Sequence, residues 1–525
     1  MTKSTVSLAL GAALLAAAHP VAAGEIAFVD RAPGFDFSHE YTGGWEHFVG
    51  GGVAVFDCNG DRFPDAFLAG GESPSRLIVN RSEPGGPVRF GEHRLPDGVG
   101  GGVTGAYPLD IDSDGAMDLV VLRVGENLIL RGDGACGFEP ANALWGIDGG
   151  DGWTTAFSAT WEDGKALPTL AFGNYVDRAA PDGPFEACDA NWLFRPAGNE
   201  SYAEPMALEP GHCALSMLFS DWDRRGRADL RISNDRHYYV HDGQEQLWDM
   251  SGAAPRLYTA NDGWQTLKIW GMGIASRDIT GDGLPEVYLT SMADQKLRVR
   301  EPGVEGPHFR DEAYARGANA HRPYTGDDGR PSAGWHAAFG DVDNDGHDDL
   351  FVAKGNVEQM PDMAMRDPNN LLIQQPDGSF VEHGLEAGIA SFARARGGAL
   401  ADLNRDGQLD IVVLNRRDNV EILENVSPAE GGWLSVVLTQ PAPNPNAVGA
   451  WIEVRDGRRH QHREVTVGGG HAGGVAGPEH FGLGDATSIE VRVTWPDGAR
   501  SPWMPTAANA EVRIVRDAGM ERLTD

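Results

Sequence analysis

The ten residues DVDNDGHDDL from Asp341 place carboxylates at the first, third, fifth and ninth positions (Asp341, Asp343, Asp345, Asp349) and Gly346 at the sixth. Hard cations such as calcium take six to eight oxygen ligands at about 2.3–2.6 Å, and alternate side chains of a tightly curled loop converge on one point. Glycine at the sixth position lets the backbone turn with positive φ, so that the seventh carbonyl also faces the ion. The same pattern returns with Asp57, Asn59, Asp61 and Asp65, with Asp110, Asp112, Asp114 and Asp118, with Asp278, Thr280, Asp282 and Glu286, and with Asp402, Asn404, Asp406 and Asp410. Any one copy reads equally well as an Asp/Gly-rich turn. The repetition favours Ca2+, with about five sites. An EF-hand needs a Glu at the twelfth position and flanking helices; here Val352 and Val121 stand there, between segments that read as strands.

Two further copies are altered. DWDRRGRAD from Asp221 keeps Asp223 and Asp229 but has Arg225 at the fifth position. A guanidinium cannot ligate a cation, so Arg225 is expected to pair with Asp221 or Asp229 and replace the metal. A third copy near 161–165 has Trp161, Lys165 and Thr169 at its first, fifth and ninth positions, so its strands are expected to survive without a site.

Positioning these loops takes strands on both sides. A small-residue apolar segment such as GWHAAFG precedes each loop and a β-branched run such as DLVVLR follows it. A third apolar run and an aromatic-led fourth (Phe138, Tyr202, Phe309, Phe380) complete each unit. Four strands per unit, repeated seven times at intervals of 51 to 63 residues, predict an all-β chain with a seven-bladed β-propeller over 24–430. The last unit lacks an aromatic-led fourth strand, which Ile26 to Val29 is expected to supply. From Trp433 the acidic loops stop and short alternating runs predict a small β-sandwich over 431–525, folding by itself and binding no calcium.

The DxDxDG loops followed by apolar strands resemble FG-GAP/VCBS repeats of integrin-α-type propellers. GAWIEV, REVTVGGG, HFGLG and VTWPDG in the tail resemble the ASPIC/UnbV domain. The pairing is similar to the cartilage acidic protein family and its bacterial relatives. The resemblance implies an exported, calcium-binding propeller with adhesion or interaction roles. The tail departs from the family at Gly473-Gly474, where a Ser-Gln pair is usual.

A net charge of −34 argues against nucleic acid and anionic membranes as partners. Twenty of the carboxylates stand at ligand positions of the six acidic loops, so over half of that excess is local. Lys3, the apolar run Val6 to Ala18 and the small residues to Ala23 read as a signal peptide over 1–23. The chain is therefore expected to be secreted or periplasmic and not membrane-spanning, with a protein or glycan partner outside the cytoplasm. Four cysteines in an exported chain favour disulfides. Cys188 with Cys213 is the preferred pair, which leaves Cys58 with Cys136, among three possible connectivities.

No GxSxG elbow, P-loop, HExxH or paired-cysteine zinc spacing occurs, so no catalytic residue is assigned. A polysaccharide lyase or hydrolase, or a lectin, using the propeller face is the alternative. His460, His462, His471 and His480 offer a weak transition-metal reading, and Trp270 and Trp335 read as packing aromatics rather than sugar platforms. Asn80, Asn199 and Asn425 fit a glycosylation acceptor pattern.

Overall fold

The computed structural model describes residues 26–180, 187–198, 200–235, 242–326 and 329–523. The expected signal peptide and Asn199 lie outside the described residues. The chain is all-β, and its larger part is a row of propeller-like four-stranded antiparallel sheets. The second sheet is typical: Val103–Leu109, Asp118–Arg123, Leu128–Gly132 and Phe138–Pro140 pair in chain order. The altered third copy builds the same sheet from Thr154–Thr160, Thr169–Asn174, Asn191–Phe194 and Met206–Leu208, so its strands do survive. In the seventh, Phe28–Asp30 supplies the fourth strand, pairing antiparallel with Glu421–Asn425.

First strands of successive sheets pack side by side, and that of the seventh, Arg394–Ala401, packs against that of the first, Val53–Phe56. Inner strands are buried on both faces, which is why runs such as DLVVLR are nearly continuous in apolar residues. The core is shared between neighbouring sheets: one cluster joins Val55 and Phe67 to Leu119 and Val121, and another joins Phe351 and Leu371 to Ile411 and Phe28.

The tail forms two further sheets. One contains Gly432–Thr439, Glu479–Gly484, Ala510–Val515 and Gly519–Leu523; the other contains Trp451–Arg455, His460–Glu464, Ser488–Thr494 and Met504–Ala507. They share a core that includes Leu434, Ile452, Phe481, Val491 and Ile514, as two stacked sheets with one apolar face each must.

The tail also runs along the first strands of the propeller-like sheets. Val467 bridges Ala159, Gly468 bridges Leu218, Gly470 bridges Ile274, Gly473 bridges Ala106, and Val475 pairs in parallel with Val55. Between them, the His471 amide donates to His336 Nδ1 (3.1 Å) and His471 Nε2 accepts from Gly50 N (3.2 Å). This plug therefore touches the first six sheets or their loops, and its end, Val475–Ala476, also packs on Arg394–Ala401 of the seventh. Glycine is required for two reasons: Gly468, Gly469 and Gly470 have φ of 130, 72 and 57°, and a Cβ on Gly473 would lie 2.1 Å from Val53 O.

Candidate metal centre

Each acidic loop is first a device for folding itself. The ninth residue opens the second strand, and its carboxylate ties the loop to the third. Asp349 accepts from Val342 N and Gln374 N (both 2.9 Å), Asp118 from Ile111 N (2.8 Å) and Gly132 N (2.9 Å), and Asp410 from Leu403 N and Asn425 N (both 2.8 Å). The first carboxylate closes the turn. Asp341 accepts from Asp345 N (3.1 Å) and Gly346 N (2.7 Å), and Asp402 does the same with Asp406 N (3.1 Å) and Gly407 N (2.8 Å). The fifth caps the seventh amide, as Asp345 does for His347 N (2.8 Å) and Asp114 for Ala116 N (2.9 Å). These backbone roles were missed in the sequence, where every carboxylate counts only as a ligand.

With those bonds made, the first, third and ninth side chains converge. One ligand oxygen from each of Asp341, Asp343 and Asp349 lies within 4.8 Å of the others, and the same holds for Asp110, Asp112 and Asp118. The other three loops carry a neutral third residue that bridges their acids. Asn59 Nδ2 donates to Asp61 (3.0 Å), Asn404 Nδ2 to Asp406 (3.1 Å) and Thr280 Oγ1 to Glu286 (3.5 Å).

Crowding buried carboxylates raises their proton affinity. Burial, then the repulsion of neighbouring carboxylates, holds Asp341 and Asp349 well above the usual range and puts Asp345 at about 7. Burial likewise raises Asp110 to about 6, Asp65, Asp118 and Asp402 to about 7, and Glu286 to about 8. Asp112 Oδ1 is buried with no hydrogen-bond partner. An all-oxygen, multiply anionic donor set fits a hard divalent cation, calcium before zinc or copper. The Asp110 loop has a rival for its ligands: Arg131 contacts Asp112 Oδ2 (2.7 Å) and Asp114 Oδ2 (2.6 Å).

In the Asp221 loop, Arg225 does turn to a carboxylate, but to Asp223 (2.9 Å), not to Asp221 or Asp229. Those two are engaged elsewhere. Asp221 accepts from Arg225 N (2.8 Å) and Gly226 N (2.9 Å); Asp229 accepts from Trp222 Nε1 (3.0 Å), Met250 N (3.0 Å) and Tyr258 OH (2.9 Å). In the third sheet, Glu162 closes the degenerate loop by accepting from Thr169 Oγ1 (2.8 Å) and Arg195 Nε (2.7 Å).

The disulfides are Cys58–Cys136, between the first and second sheets, and Cys188–Cys213, between the third and fourth. Asn80 and Asn425, read as glycan acceptors, are buried. Their amides donate to Pro64 O (2.9 Å) and Leu403 O (2.8 Å), and to Val342 O (2.8 Å), because both stand at the end of a third strand beside an acidic loop. Trp335 is buried, with its Nε1 on Gly355 O (2.7 Å), which agrees with a packing role.

The tail histidines go to three places. His471 lies buried beside Gly50, and His480 Nε2 contacts Asn344 Oδ1 (2.7 Å). His460 and His462 meet Glu453, with one ligand atom each within 4.8 Å. That carboxylate is already claimed by Arg492, with Arg224 at 3.8 Å, while His462 Nδ1 contacts Asp278 Oδ2 (2.7 Å). Two guanidiniums oppose a second cation there, so the group is a docking network.

Residues 57–121 and 341–413 match the FG-GAP-like repeat, and residues 440–521 match ASPIC and UnbV. The chain carries FG-GAP-like repeats and an ASPIC/UnbV domain. It is weakly similar to "Cartilage acidic protein 1" of Mus musculus, 25% identical over 243 residues (43% of this chain and 34% of that protein), and of Xenopus tropicalis, 28% identical over 128 residues (24% and 19%). The matches thus span about a third or less of those relatives. A chain from the crystal structure of BBS1N in complex with ARL6DN is similar at TM-score 0.43 and 11% identity, covering 77% of this chain and 98% of that one. The matched FG-GAP segments contain the two loops whose three carboxylates converge, from Asp110 and Asp341. The plug and the strand leading to it lie within the matched ASPIC/UnbV segment.

Proposed function

We propose that this chain is an exported calcium-binding module that works by docking to a protein or glycan outside the cytoplasm, without catalysing a reaction. In this reading the seven sheets close into a seven-bladed propeller over 24–430. The loops from Asp57, Asp110, Asp278, Asp341 and Asp402 each hold Ca2+, and the ASPIC/UnbV domain over 431–525 caps one face. The observation that carries it is the convergence of Asp341, Asp343 and Asp349 on one point. The two disulfides support an oxidising compartment. No helix among the described residues is long and apolar enough to cross a membrane.

The plug bears on the enzyme and lectin alternatives. A propeller site at the central channel needs that channel open, and in this reading Val467 to Val475, which bridges the first strands of five sheets, would fill it. A cavity of about 510 Å³ remains between the tail and the first, fifth, sixth and seventh sheets. Of its acids, Glu479 pairs with Arg277 (3.6 Å), Glu511 with Arg62 and Arg405 (3.3 Å), and Asp402 belongs to a proposed calcium loop. In this reading those engagements disfavour glycoside chemistry, which needs two available carboxyl groups. Screening the full chain with calcium against a glycan array and a polysaccharide panel tests the reading. Binding without turnover, or silence on both with retention of a protein ligand, is expected. Release of reducing ends or unsaturated sugars would overturn it.

A further inference from the structure

We propose that the ASPIC/UnbV domain is the lid of the Asp341 cation site, so that loss of the ion from this loop and lifting of the domain are one linked event. The proposal rests on the calcium reading above and concerns what controls that one site.

Five tail residues close over the loop. Gly484 N donates to Asn344 O (2.8 Å), and His480 Nε2 meets Asn344 Oδ1 (2.7 Å). Arg459 bridges the two parts, with Nη1 on Asp345 O and Nη2 on Leu483 O (2.7 Å). Arg463 grips Asp348 with Nη1 on both carboxylate oxygens (3.0 and 2.8 Å). Gly482 lies so close that a Cβ there would be 1.8 Å from Asp341 Oδ2. Glycine is the one residue that lets backbone approach the first ligand in this way.

Three of the other loops are more open, while the Asp402 loop, with Asp406 half-buried and Trp433 against Gly407, is also covered. Asp61, Asp114 and Asp282, the fifth residues of those three, are exposed, whereas Asp345 is half-buried and Asp341, Asn344, Gly346, Asp348 and Asp349 are buried. An ion in the Asp341 loop would therefore lie beneath the tail, with only Asp343, Asp345 and His347 of the loop partly exposed. Once it leaves, four carboxylates face the tail, opposed by Arg459 while Arg463 is held by Asp348. Binding energies linked in this way are reciprocal: a docked lid tightens the site, and a filled site tightens docking.

The test is calcium release from the loaded full chain, mixed rapidly with an excess of a chelating dye. Fast release from open loops and a separate slow phase are expected. Asp345→Arg, which copies the fifth residue of the Asp221 loop, should delete the slow phase alone. Arg459→Ala and His480→Ala, which each remove lid contacts and no carboxylate, should speed it at least tenfold and leave the fast amplitude unchanged. A single phase in the unaltered chain, or a slow phase indifferent to both lid variants, would overturn the lid while leaving calcium binding intact. No releasable calcium at all would overturn the reading beneath it.

Discussion

Chelation is expected to lower the melting temperature of the full chain by about 10 °C or more at pH 8, and by far less at pH 5. A ligand held only by the native state adds about 1.4 kcal/mol per site at a tenfold excess over its dissociation constant, so five filled loops sum to about 7 kcal/mol. A few degrees follow from each kcal/mol. The pH dependence comes from the raised carboxyls. In the metal-free chain Asp65, Asp118 and Asp402 take up protons near pH 7 when folded and near 3.8 when unfolded. The folded form thus binds more protons between those values. The contribution of these three carboxyls to stability without the ion is fully present below about pH 4 and is lost as pH rises towards 7. Calcium removes that loss by competing with protons for the same oxygens. Scanning calorimetry with and without chelator at both pH values checks this; an increment that is equal at the two would show that the buried acids are not the ligands.

Gly473→Ala should destabilise the chain by about 3 kcal/mol or more, and Gly477→Ala should change it by less than about 0.5 kcal/mol. At Gly473 a Cβ meets Val53 O at 2.1 Å and Val53 N at 2.5 Å, both backbone atoms that no side-chain rotation can move. At Gly477 nothing lies within 4 Å. The strained atoms belong to the plug and to the first strand of the first sheet, so the expected outcome includes faster proteolysis of the tail. Equal melting temperatures for the two variants would mean that the plug leaves the first strands in solution.

The four-strand order of each repeat, the missing strand supplied by Phe28–Asp30 and the survival of the third repeat's strands were legible because each depends on local pattern, and both disulfide pairs followed from the nearness of Cys188 and Cys213 in the chain. The convergence of Asp341, Asp343 and Asp349 was legible for the same reason. Which donor in the same sheet would engage each carboxylate was not. Nothing near Arg131 marks it as a partner of Asp112, and nothing near Arg225 says that Asp221 and Asp229 are already engaged by backbone and ring donors. The plug did leave a signal: five glycines in the seven residues GGGHAGG interrupt an alternating strand pattern. Glycine within such a pattern marks close backbone approach. What it approached could be read only from the structure.

The most direct measurement of the central claim is an anomalous difference map from crystals of the full chain grown in calcium. Peaks are predicted inside the loops from Asp57, Asp110, Asp278, Asp341 and Asp402, with none beside Asp223, where Arg225 sits, or beside Glu162, where Arg195 sits. An empty Asp341 loop, or a fully coordinated ion in the Asp221 loop, would contradict the account.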